Sequence, residues 1–149
     1  VSPNAAEVNV NKALFLLMDG DTQSAKTLLG KASQANNLDA AMGLLNIMDG
    51  NYNQAADAMK DVQSNNAAIA QSLTSNYVGA ENILKSLKNP DAMTYYLLAV
   101  VGSRTNNFNE VLSNLRSAVS MDSNLVKRAV NDLEFSKYRT NADFLSLLK

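Results

Sequence analysis

Ala40-Ala41-Met42-Gly43-Leu44-Leu45-Asn46-Ile47-Met48-Asp49-Gly50-Asn51-Tyr52, followed by Ala55, Ala58 and Met59, contains one full unit of the pattern that decides the fold. Apolar residues recur at helical spacing, a tight polar turn interrupts them, and a second apolar stripe follows at the same spacing. The arrangement returns at Ala13 to Asp21 with Ala25, Leu28 and Leu29, and at Ala67 to Tyr77 with Ala80, Ile83 and Leu84. A fourth copy runs from Tyr95 through Asn106, Asn107 and Phe108 to Val111, Leu112 and Leu115. Ala25, Ala55, Ala80 and Val111 share one position, at separations of 30, 25 and 31 residues. Periods of this size belong to stacked helix pairs, in which neither helix buries its stripe alone. The expectation is an all-α array of antiparallel helix pairs, one continuous domain over residues 1–149, with about four pairs over 6–124 and a cap over 124–149.

The turns mark the helix starts. Gly20 and Gly50 stand where the chain reverses and can adopt positive φ, with Asn76 and Asn107 the next best residues for that task. Asn51 with Gln54 and Asn107 with Glu110 predict capping boxes. Asn89 before Pro90 predicts a cap followed by a first-turn proline. Helices are predicted near residues 5–18, 22–33, 38–48, 52–63, 66–74, 77–87, 91–104, 108–120, 124–138 and 141–148. Tyr52, Tyr77 and Phe108 recur beside the turns and predict rings packed beneath them. Leu125, Ala129 and Leu133, flanked by Val126 and Val130, predict a buried stripe on the penultimate helix. Asn141 predicts the cap of a closing helix that turns Phe144, Leu147 and Leu148 inward. A capping element explains this segment, and so does a helix that docks on another domain.

Of 149 residues, 46% are hydrophobic, enough for one core or one short array. Formal net charge is -1, so no strong attraction to nucleic-acid phosphate or anionic lipid is expected. Lys127 with Arg128, and Lys137 with Arg139, are diluted by Asp132 and Glu134 and read as solvated helix faces. The chain contains no cysteine, histidine or tryptophan. Disulfides, thiol nucleophiles, imidazole acid–base pairs and the usual zinc sites are therefore outside its chemistry. The apolar runs Leu14–Met18 and Tyr95–Val101 are too short to span a bilayer. A start at Val1 without a signal-like segment fits a processed protein or an excised domain.

The fourth copy is the most family-specific. Asn106 occupies a turn-glycine position, Phe108 an aromatic position and Val111 a small-residue position. Leu115 and Ala118 follow, and Met121-Asp122-Ser123 stands where a Leu-Asp-Pro corner would close the repeat. Upstream, Tyr95, Leu98, Ala99 and Gly102 fall on the packing positions of a first helix. This segment resembles a tetratricopeptide repeat, and the likeness extends more loosely over residues 6–124, where the spacing is shorter than the family's. Tetratricopeptide-containing envelope proteins of Bacteroidetes-type bacteria are also similar in flavour. The resemblance implies a right-handed superhelical solenoid, a protein- or peptide-binding role, no cofactor, and a bacterial envelope or periplasmic location.

No catalytic constellation emerges. Asp49-Gly50-Asn51-Tyr52-Asn53 begins like a calcium loop, but Gln54 stands where glycine is required and Lys60 where the glutamate belongs. Asp57 and Asp61 share a helix face without an opposing carboxylate, and so read as solvated. What remains is surface. The resemblance places Met93, Tyr96, Val100, Ser103 and Arg104 of the fourth copy on the inner face, with Asn37, Ala40, Leu44, Ile47 and Met48 of the second. Two readings stand for the most ligand-like pair. Tyr96 and Arg104 are either the aromatic and cationic anchors of a bound segment, or a ring packed on a neighbouring helix and a solvated guanidinium. The expected function is a non-catalytic protein-binding scaffold in a larger assembly. The alternatives are a structural module packed against another domain, and a non-catalytic small-molecule or glycan binder.

Overall fold

The computed structural model describes residues 5–33 and 35–149. Its elements are α1 (Ala5–Met18), α2 (Thr22–Leu29), α3 (Leu38–Met48), α4 (Tyr52–Ala58) and α5 (Asn65–Leu73). They continue with α6 (Tyr77–Ser86), α7 (Ala92–Arg104), α8 (Phe108–Met121), α9 (Asn124–Asn131), a 3-10 helix over Leu133–Tyr138, and α10 (Ala142–Leu147). No strand occurs among the described residues, so the all-α reading holds. The contacts gather into two compact units, one ending at Ser75 and one spanning Asn76–Lys149. In the first unit α1 packs on α2 and α3 on α4, while α3 also meets α1, α2 and α5. In the second, α7 packs on α8 and α6, and the C-terminal elements pack on α7 and α8. Three-residue connections make the α1–α2, α3–α4 and α7–α8 pairs antiparallel.

One turn design recurs at residue level. Gly20 (φ 82°), Gly50 (φ 76°), Ser75 (φ 63°) and Asn106 (φ 59°) take the left-handed conformation. Each is followed at once by an Asx residue at the next helix's N-cap: Asp21, Asn51, Asn76 and Asn107. The preceding helix closes by back-bonding, as in Asn51 N to Asn46 O and Asn107 N to Gly102 O, both 2.8 Å. Asn76 and Asn107 are therefore caps, and positive φ falls one residue earlier, at Ser75 and at Asn106, the turn-glycine position of the fourth copy. The reason is a division of labour, since a side chain that accepts from the third residue ahead must leave the left-handed position to its neighbour.

Two further caps depart from expectation. Asn51 makes no side-chain cap bond, so the Asn51–Gln54 box does not form. Pro90 does not open α7; Asp91 caps it instead, accepting from Thr94 N at 2.7 Å while its own N–H donates to Thr94 Oγ1 at 3.1 Å. A carboxylate satisfies the helix start better than Asn89 because it also opposes the positive end of the helix dipole. Tyr52 is 41% exposed and is not a ring packed under its turn.

The stripes meet as the alternation of small and large residues requires. Val10, Ala13, Leu17, Ala25, Leu29, Ala32, Ala41 and Leu45 form the core of the first unit. A Cβ at Gly43 would lie 2.3 Å from Met59 Cγ, so the glycine admits that side chain to the α3–α4 contact. In the second unit Tyr96, Ala99, Val111, Leu115 and Ala118 form one core with Leu125, Ala129, Phe135, Phe144 and Leu148. The helix expected over 124–138 breaks at Asp132, which is extended (φ −71°, ψ 128°) and caps the 3-10 turn by accepting from Glu134 N at 3.0 Å. The break rotates the stripe. Leu133, expected inside, is 79% exposed, and Phe135 is wholly buried instead.

Candidate functional site

Tyr96, the proposed aromatic anchor, is 1% exposed. Its phenol donates to Asp132 Oδ2 at 2.6 Å, and its ring meets Phe135 edge-on at 5.6 Å between centroids. The Arg128 guanidinium lies 5.0 Å from the ring centroid. Burial, with the hydrogen bond to a carboxylate behind it, pushes the phenol well above its ordinary value. Tyr96 belongs to a run of ring contacts that continues from Phe135 to Phe144, Tyr138 and Phe108.

The rest of this α7 face meets the same segment. Ser103, 2% exposed, donates from Oγ to Glu134 O at 2.6 Å. Arg104 forms a two-pronged ion pair with Glu134, with Nε 2.6 Å from Oε2 and a terminal nitrogen on Oε1, and this pairing holds its proton more tightly. Lys137 Nζ caps the end of α7, donating to Ser103 O and Asn106 Oδ1 at 2.6 Å each. Met93 and Val100 are half-buried beside this core. The open groove expected over Tyr96, Ser103 and Arg104 is thus an intramolecular interface. The cause is the Asp132 break, which lays residues 132–137 along α7.

The register of the repeats separates the covered positions from the open ones. Counting back from each left-handed turn residue, the positions ten and three before it are buried in α1 and α7 and half-buried in α3 and α5. They hold Val10 and Leu17 in α1 (both 1% exposed) and Tyr96 and Ser103 in α7. In the first unit the position six before it is partly open, with Leu14 and Leu44 packed against the core, and the position two before it is open. Leu14, Leu44 and Ile69 are half-buried at the former, and Met18 (81%), Met48 (42%) and Leu73 (41%) are exposed at the latter. Their helices α1, α3 and α5 contact one another in order. Of the second-copy candidates, Met48 is exposed, Leu44 is half-buried against the core, and Ile47 is half-buried three residues before the turn. The sequence reading missed Met18, Leu14, Ile69 and Leu73. Carrying the register of Leu44 and Met48 to the first and third copies would have found them.

Among the described residues no group of three or more acidic side chains is placed to hold a metal ion. No helix among them is long and apolar enough to cross a membrane. Comparison with protein-family models, curated proteins and solved structures finds no match to the chain.

Proposed function

We propose that the chain is a non-catalytic protein- or peptide-binding scaffold, a tetratricopeptide-like helical repeat that acts within a larger assembly. One observation carries this reading: Met18, Met48 and Leu73 repeat an exposed aliphatic residue at one register position of three successive first helices. Lone exposed apolar residues are ordinary, but a periodic row of them on packed helices is a surface for another chain. First helices line the inner curve in solenoids, where extended and helical segments dock. Methionine suits such a surface, since its unbranched thioether adapts to varied partners. The row is uncharged, so the ligand is an apolar segment of polypeptide rather than nucleic acid. The envelope location is proposed on the family resemblance.

The test is a selection of peptides from a display library on the intact chain, followed by calorimetry on the best binder. Met18→Glu, Met48→Glu and Leu73→Glu should each weaken binding at least about tenfold with little change in melting temperature. Binding that survives all three substitutions, or a selection that returns no binder, removes the support for this surface.

A further inference from the structure

The outer face of α1 differs from its counterparts at one residue. Five positions before the turn residue stand Leu45 in α3, Ala70 in α5 and Val101 in α7, which are 2%, 0% and 3% exposed. The α1 residue at that position is Phe15, and it is 68% exposed. The position lies roughly opposite the stripe of Val10, Ala13 and Leu17 that α1 buries. α3 packs on α2, α5 on α4 and α7 on α6, and this position is closed to water in all three. The position is therefore covered in each of the other three first helices, and on α1 it carries the largest side chain of the four, open to solvent.

The residues beside Phe15 indicate which helix completes it. Lys12 and Asp19 share its stripe at three residues before and four after, and both are exposed. Neither side chain has an ion-pair or hydrogen-bond partner among the described residues. They stand seven residues apart, about 10.5 Å along the axis, with Phe15 between them. Such a stripe is self-complementary. A two-fold axis through the Phe15 region sets a second α1 antiparallel to the first, brings Lys12 of each copy to Asp19 of the other, and stacks the two Phe15 rings near the axis. The antiparallel setting also opposes the two helix dipoles favourably.

We propose that the stripe of Lys12, Phe15 and Asp19, on α1 and just beyond its end, is a self-association surface that takes α1 of a second copy of this chain. A single helix stripe covers less than the roughly 800 Å² per partner typical of stable interfaces, so the association is weak and concentration-dependent. Sedimentation of the intact chain across micromolar to millimolar concentration, at low and high salt, reads it directly. Reversible dimerisation that weakens with salt is expected. Phe15→Glu should raise the dissociation constant at least tenfold. Lys12→Glu and Asp19→Lys should each weaken the dimer, and the double variant should restore it, because the exchanged charges again face each other. All four substituted forms alter exposed positions, and unchanged circular dichroism verifies their folding. A monomer at every concentration, a dimer indifferent to Phe15→Glu, or a double variant no better than its singles would overturn the proposal. None of these results bears on Met18, Met48 and Leu73, which are tested by peptide binding.

Discussion

The phenol of Tyr96 and the carboxylate of Asp132 meet at 2.6 Å across 36 residues of chain, and this bond anchors the C-terminal segment to α7. Asp132 serves two partners with its two oxygens. Oδ2 accepts from Tyr96, and Oδ1 accepts from the Glu134 N–H that opens the 3-10 turn. One residue therefore both breaks the helix and ties the break to the core.

Tyr96→Ala should cost about 3–5 kcal/mol, because it empties a fully buried core position beside Phe135. Tyr96→Phe should cost about 1.5–3 kcal/mol, the range of a hydrogen bond to a charged acceptor. Equilibrium urea unfolding separates the two. Parent stability in Tyr96→Ala would restore Tyr96 as a surface anchor.

The same bond predicts alkaline sensitivity. Burial and the Asp132 carboxylate raise the Tyr96 phenol above its ordinary value of about 10, so the folded state holds this proton more tightly than the unfolded one. The resulting stability is complete below that value and is lost as pH climbs from it toward the raised one, at up to about 1.4 kcal/mol per pH unit. Unfolding free energies of the parent and Tyr96→Phe, compared from pH 8 upward, should converge above about pH 10. A constant gap between them would contradict the assignment.

Arg104 and Glu134 should contribute little to stability despite their two-pronged pairing. The Arg104 side chain is 52% exposed, and an ion pair this open to water contributes at most about 1 kcal/mol. A double-mutant cycle over Arg104→Ala and Glu134→Ala should give a coupling within that limit and a weaker one at high salt. A larger, salt-independent coupling would mean that the pair is shielded from solvent.

Ala55 and Ala118 are fully buried on the second helices α4 and α8, as the repeat register predicted. Leucine at either position must push a neighbouring helix away, at about 1–3 kcal/mol. Thermal or chemical unfolding of Ala55→Leu and Ala118→Leu measures the effect. Parent-like stability in both variants would contradict the close helix contacts assigned to these alanines.

Helix existence and phase were legible in the sequence because they rest on local rules. The left-handed turn residue, the Asx cap beside it and the apolar spacing act within one or two turns of chain, so α1, α3, α7 and α8 stand close to their predicted bounds. The candidate site was less legible because a helix has several faces and spacing does not say which neighbour covers each. Tyr96 and Met48 were assigned to one kind of surface, yet Tyr96, ten residues before its turn, is buried, and Met48, two before its turn, is exposed.

By itself the sequence determined that this protein is a succession of paired helices, where those helices turn, and that thiol and imidazole chemistry are absent. Tertiary structure decided which faces remain open. The interruption at Asp132 directs Phe135 into the core and leaves Leu133 in water, a choice between two hydrophobic residues that helical periodicity alone resolved the other way. Its outcome depends on Tyr96, Ser103 and Phe144, whose side chains reach this segment only after the chain has folded, because burial free energy depends on what is adjacent in space rather than in sequence.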